Sequence, residues 1–288
     1  MERQQYTRGG FMRRILVLIL PAVTALLFSS CITFNESRFF FPRNPGPVPS
    51  AADKKFIPLS LETADSTTLS GIIITAPSRD YLIYFYGNGM TIAESAPRLY
   101  FLSEEYRLNI ICFDYRGYGE SGGTPSFENL LSDAGDIYEF VREKYVPQKL
   151  FLFSQSIGTV PAAVLAAAHA FNGIIMEAPF NNADEGVSRM RDGLIPPFKW
   201  LVRIKAEERL RKMRPQPEDY IKNFRAPLLI LHGENDGVFP FDIGRKMYEA
   251  AGSKDKQIVM LPNTGHSDVN LRSNPAFAAM KAFFARHK

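Results

Sequence analysis

Six short apolar runs constrain this chain more than any other feature. They are YLIYFY (81–86), NIICFD (109–114), KLFLF (149–153), GIIME (173–177), PLLILHG (227–233) and QIVML (257–261). Each is continuous rather than alternating, which is the pattern of strands covered on both faces. Helical spacing recurs between them. Ser126 can cap a helix carrying Leu130, Ala134, Ile137 and Val141, IGTVPAAVLAAAHA follows the third run, and a last amphipathic helix begins near Asn274. Two earlier runs, KFIPLSLET and TLSGIIITA, suit an antiparallel pair. The expected class is therefore α/β: a mostly parallel eight-stranded sheet flanked by helices. Ligands of such sheets bind beyond the carboxyl ends of the strands, here after Tyr86, Phe153, Leu231 and Leu261.

The N-terminus is read separately. A basic stretch, an apolar stretch from Ile15 to Phe28 and small residues before Cys31 have the layout of a secretory signal. The apolar stretch is shorter than the ~20 residues of a spanning helix, but no charge follows before Glu36, so an uncleaved anchor stays open. Ser29-Ser30-Cys31 resembles a bacterial lipobox, with Phe28 where leucine is usual, so Cys31 is a candidate for lipidation. The expected division is a signal peptide or anchor over 1–31, a Pro- and Gly-containing linker over 32–55, and one domain over 56–288. The protein is expected to be exported and held at a membrane surface. Four arginines against one glutamate in residues 1–30 carry most of the net charge of +4, so no nucleic-acid partner is expected. The second cysteine, Cys112, lies in an apolar run and reads as a buried thiol.

The chemistry is expected at the strand ends. After KLFLF comes Ser154-Gln155-Ser156-Ile157-Gly158. A nucleophile at the tip of a strand-to-helix elbow needs small residues two positions either side. With Ser156 at the tip those residues are Ser154 and Gly158; with Ser154 they would include Leu152, which is too large. Ser156 is thus the candidate nucleophile.

Of four histidines, His169 reads as packing, His232 as structural at a strand end, and His287 as frayed. His266, in LPNTGHSD after the last strand, is the candidate base. Asp236 in LHGENDGVFP is the candidate acid, with Glu177 second; Asp268 is too near His266 in sequence. The order Ser, Asp, His suits a hydrolase of this architecture. Oxyanion donors are expected from the Ile157 N–H and from YGNGM (86–90): Asn88 first, Gly89 or Met90 as alternatives.

YGNG, DYRGYGESGGTPS, SQSIG, LHGENDGVFPF and GHSD, in this order, resemble the α/β-hydrolase superfamily. They are most similar to its short-capped serine hydrolases, among them membrane-associated depalmitoylases and aminopeptidase-like bacterial hydrolases. The likeness spans residues 56–288. It implies the α/β-hydrolase fold, Ser156, Asp236 and His266 as triad, and Asn88 and Ile157 as oxyanion donors. Tyr86 departs from the usual histidine, and Ser154 from the first elbow glycine.

A small helical cap is expected at about 180–226. From Val187 to Ala226 it has eleven basic residues against five acidic and includes LIPPFKWLV with Trp200, a composition suited to anionic lipid. The expected function is a serine hydrolase cleaving acyl esters or thioesters. A serine peptidase is the first alternative, and a tethered binding lipoprotein without catalysis is the alternative of another class. No phosphate-binding loop or metal-ligand spacing is present in the sequence, so no cofactor or metal is expected. Chain length, leaving group and oligomeric state are not legible.

Overall fold

A computed structural model describes residues 31–48, 56–192, 203–208, 210 and 216–288. Its strands are β1 (Cys31–Phe34), β2 (Phe56–Glu62), β3 (Thr68–Ile74), β4 (Asp80–Phe85), β5 (Asn109–Phe113), β6 (Lys149–Gln155), β7 (Gly173–Glu177), β8 (Arg203–Ala206), β9 (Leu228–Gly233) and β10 (Lys256–Leu261). The helices that matter below are α1 (Ile92–Tyr106), α2 (Phe127–Tyr145), α3 (Thr159–Ala168), α4 (Ala183–Asp192), α5 (Phe241–Ala250) and α6 (Ala276–His287).

Eight strands form one sheet in the order β2-β3-β5-β4-β6-β7-β9-β10. The pairs β2–β3 and β3–β5 are antiparallel, and every other pairing in the sheet is parallel. The apolar runs are strands because both faces are covered: Leu82, Leu152, Phe153, Ile174 and Ile230 are fully buried. Each such side chain contributes roughly 1.5–3 kcal/mol relative to exposure. Ser126 caps α2 as expected, its hydroxyl accepting from Asn129 N at 3.0 Å.

The register aligns the functional strand ends. Phe85 pairs with Ser154, Gln155 with Glu177, Glu177 with Leu231, and Gly233 with Leu261. The carboxyl ends of β4, β6, β7, β9 and β10 therefore finish at one rim, and the loops that follow them share one surface.

Three expectations need correction. Residues 31–48 are structured rather than linker: β1 pairs in parallel with β8 as a separate two-stranded sheet, and a 3₁₀ turn (Glu36–Phe39) buries Phe39 and Phe40. The reason is composition, since Phe39 and Phe40 of the run FFF at 39–41 gain by leaving water. Because β8 lies within it, the cap is not wholly helical. His287 is also not frayed: it packs on Phe283 (centroids 4.8 Å apart) and stands 3.4 Å from Asp255, and burial lowers its pKa. Residues 1–30 of the expected signal or anchor segment (1–31) and residues 193–202, 209 and 211–215 of the cap, Trp200 among them, fall outside the described residues. Among the described residues, no helix is long and apolar enough to cross a membrane.

Candidate active site

β6 runs directly into Ser156, whose φ is 50°. A non-glycine residue in the left-handed region is held there at a cost of about 1–3 kcal/mol by its surroundings. The two small neighbours permit it. A Cβ at Gly158 would stand 2.4 Å from Phe85 O and 2.8 Å from Tyr86 O, so the main chain after β4 passes where a side chain would be. Ser154 is fully buried against β7, its hydroxyl 3.5 Å from Ile175 O. Serine fits where the elbow ordinarily has glycine.

His266 Nε2 lies 3.0 Å from Ser156 Oγ, and His266 Nδ1 lies 2.7 Å from Asp236 Oδ2. A carboxylate only accepts, so the Nδ1 proton is donated to Asp236 and Nε2 presents its lone pair to the serine hydroxyl. Asp236 is buried, and its other oxygen accepts from Val238 N (2.9 Å) and Phe239 N (2.8 Å). Burial pushes its pKa up, but hydrogen bonds from His232 and His266 outweigh that and hold it well below the usual carboxylate range. His232 is fully buried; its Nε2 donates to Phe239 O at 2.7 Å and stands 3.3 Å from Asp236 Oδ2. It braces the acid loop.

The acid and base loops are laced together. Glu234 N donates to Leu261 O (2.9 Å), Asn235 N to Thr264 O (2.9 Å), and Asn263 N to Glu234 Oε2 (3.1 Å). A Cβ at Gly233 would meet Thr264 O at 2.3 Å, so the loop bearing His266 crosses directly over that glycine. Asp268 accepts from Gly265 N at 3.2 Å and braces the same loop. Glu177 does not reach His266 by any hydrogen bond; it pairs with Arg98, whose guanidinium also donates to Val269 O at 2.9 Å. Burial raises the pKa of Glu177, and Arg98 opposes it. His169 lies at the C-cap of α3 and stacks on Tyr138 at 3.9 Å.

The turn after β4 brings Asn88 to the same rim. Met90 N donates to Gly87 O at 3.2 Å and is thereby committed, which removes it as an oxyanion donor. The Ile157 N–H opens the 3₁₀ turn Ser156–Gly158, where the first amides lack partners within the turn. Tyr86 substitutes for histidine by anchoring this loop inward. Its hydroxyl donates to Asp114 Oδ1 (2.9 Å) and accepts from Tyr115 N (2.9 Å), and its carbonyl accepts from the Tyr115 hydroxyl (2.7 Å). Asp114 Oδ1 also accepts from Ile92 N at 2.8 Å, capping α1. Burial raises the pKa of Asp114 to about 6.

Ser156, Ile157, Asn88 and His266 line a cavity of about 390 Å³, together with Phe180 and Phe239. The size is ordinary for a small-molecule site, and among the described residues no aspartate or glutamate lines it.

A family model described as "Serine aminopeptidase, S33" matches residues 104–222 and 202–270, more than half the chain. The chain belongs to this family of α/β-hydrolases.

This α/β-hydrolase is similar to several other proteins. The uncharacterized protein YfhR of Salmonella typhimurium is 31% identical over 92% of this chain and 90% of its own length. The lysophosphatidylserine lipase ABHD12 of Danio rerio is 30% identical over 60% of this chain. The Homo sapiens α/β-hydrolase domain-containing protein 17C is 29% identical over 68% of this chain. The match spans only 48% and 56% of those two proteins' lengths. Among solved structures, the Pyrococcus furiosus esterase Pf2001 superposes with a TM-score of 0.68 at 17% identity, over 85% of this chain and 98% of its own. The monoacylglycerol lipase of Paleococcus ferrophilus gives 0.56, also at 17%, over 76% and 99%. At that identity the likeness is one of fold.

Sequence reading missed two parts of the hydrolase's site. Phe39 and Phe41 line the cavity from a segment read as linker; the run FFF at 39–41 was the available signal. Arg98, which ties the end of β7 to the loop bearing His266, had no sequence signal beyond its place on a helix.

Proposed function

We propose that this α/β-hydrolase is a serine hydrolase that cleaves acyl esters or thioesters. The observation that carries the reading is the continuous hydrogen-bonded line Asp236–His266–Ser156 opening on an apolar cavity. Ser156 Oγ attacks the acyl carbonyl while His266 Nε2 takes its proton, and Asp236 steadies the imidazolium. The oxyanion is received by the Asn88 and Ile157 amides, each such donor supplying about 3 kcal/mol of transition-state stabilisation. Collapse expels the alcohol or thiol, protonated by His266, and leaves an acyl-Ser156 ester. Water then releases the acid by the reverse proton path.

The cavity favours esters over peptides with a free amino terminus. An aminopeptidase needs a carboxylate to receive the substrate ammonium, and among the described residues the lining supplies none. The likeness to the lysophosphatidylserine lipase ABHD12 supports this choice. The proposal includes export and tethering, supported by the basic and apolar layout of residues 1–31, with Cys31 as the acylated residue. Mass spectrometry of the mature protein tests the last point, since an unmodified Cys31 removes lipidation.

A fluorophosphonate probe tests the catalytic proposal. Wild type should label and the Ser156→Ala variant should not. A wild-type protein that stays unlabelled and inert on p-nitrophenyl esters would instead be a binding protein that keeps the fold.

A further inference from the structure

Residues 36–43 form a strap beside the cavity, and their contacts go beyond packing. Phe39 is buried edge-on against Phe127 (centroids 5.4 Å apart) and Phe180 (6.4 Å). Gly186 of α4 makes the room, since a Cβ there would stand 3.1 Å from the Phe39 ring. Phe180 meets Phe239 at 5.5 Å, and Phe239 meets His266 at 5.6 Å. An aromatic row thus leads from the strap to the base. Phe41 and Val238 also line the cavity, yet they are 55% and 46% exposed. Large apolar side chains left open at a cavity mouth mark a surface that a ligand covers.

The strap is also clasped to the oxyanion loop. The Asn88 side chain donates to Phe39 O and accepts from Phe41 N (3.1 Å) and the Tyr118 hydroxyl (2.7 Å). Phe41 N also donates to the Tyr118 hydroxyl at 2.8 Å. Arg43 donates to Gly89 O (3.2 Å) and pairs with Glu94 (2.9 Å), while its carbonyl accepts from Gly119 N (2.8 Å). Glu36 accepts from Phe127 N at the start of α2. The residue expected to donate from its backbone to the oxyanion therefore uses its whole side chain to hold the strap.

We infer that the strap is the acyl-binding element of this enzyme. The acyl chain of a medium-length ester lies along Phe41 and Phe39, and the Asn88 clasp keeps that wall in register with the oxyanion site. The inference rests on the serine hydrolase reading and adds the substrate's acyl class and the residues that select it. The size follows from the cavity of about 390 Å³. With room left for the ester group, that volume suits an acyl chain of medium length.

The test compares kcat/KM on p-nitrophenyl octanoate and p-nitrophenyl acetate for wild type, Phe41→Ala and Phe41→Leu. Phe41 is exposed, so both variants should fold. The octanoate-to-acetate ratio should fall about tenfold in Phe41→Ala and less than about threefold in Phe41→Leu, which keeps an apolar wall. An unchanged ratio in Phe41→Ala overturns the inference. If wild type turns over neither ester, the hydrolase reading fails and calorimetric binding of decanoate still decides the strap. Phe41→Ala should then bind about tenfold more weakly, and equal affinity overturns the assignment.

Discussion

The Tyr86 hydroxyl donates to Asp114 Oδ1 at 2.9 Å, one of three buried bonds by which Tyr86 pins the turn after β4 to the turn after β5. Tyr86→Phe removes the donor and leaves Tyr115 N without its acceptor. A buried polar group stripped of its partner costs about 1–3 kcal/mol. The denaturation midpoint in urea should fall accordingly, and ester turnover should drop roughly tenfold as the Asn88 amide loosens, on the ~1.4 kcal/mol per decade scale. An unaltered midpoint would show that the bond is not what holds the loop.

Asp114 and Asp236 should pull stability in opposite directions with pH. Asp236 is held well below the usual range, so its contribution is present above about pH 4 and is lost as pH falls through its folded value. The Asp114 pKa is raised from 3.8 to about 6. There the folded state binds the proton more tightly, so stability declines as pH rises from about 4 to 6. The cost is on the order of 2–3 kcal/mol at neutral pH. Asp114→Asn keeps an acceptor for Ile92 N and Tyr86 while removing the charge. Its stability relative to wild type should therefore improve between pH 4 and 7. A wild-type-minus-variant difference that stays flat across that window would refute the assignment.

Asp236→Asn should lower kcat by about 10³–10⁴-fold and should also forfeit the stability that the ionised carboxylate supplies above about pH 4. The amide oxygen can still accept from Val238 N and Phe239 N. Its NH₂, placed against His266 Nδ1, drives the ring proton to Nε2, where it faces Ser156 in the wrong sense. Steady-state kinetics decide the matter, and activity within tenfold of wild type would point to another acid.

The elbow's two small residues should respond unequally. Gly158→Ala forces a Cβ to within 2.4 Å of Phe85 O, a main-chain atom that cannot swing aside. It should cost more than about 2 kcal/mol and most of the activity. Ser154→Gly restores the usual residue and gives up only a long hydroxyl contact to Ile175 O. Thermal melting should separate the two; equal losses would mean that neither position is set by close approach.

Much of the fold was legible because burial on both faces leaves a run in the sequence. β7 coincides with GIIME, and the other five runs shift by one or two residues at an end. The strap was not legible, since proline and glycine beside FFF at 39–41 mask an aromatic anchor that finds its partners at 127 and 180. The strand at 203–206 was missed for the same reason: its partner lies at 31–34, far away in the chain.

Local sequence determined the class of sheet, the elbow at Ser156 and the short menu of acids and bases, because periodicity and residue size act over a few neighbours. Only the tertiary structure decided that Asp236 rather than Glu177 meets His266, that Tyr86 is tied inward through Asp114, and that Phe39 and Phe41 wall the cavity. Those choices depend on register between strands and on loops crossing at single glycines such as Gly233, distances that no stretch of contiguous residues encodes.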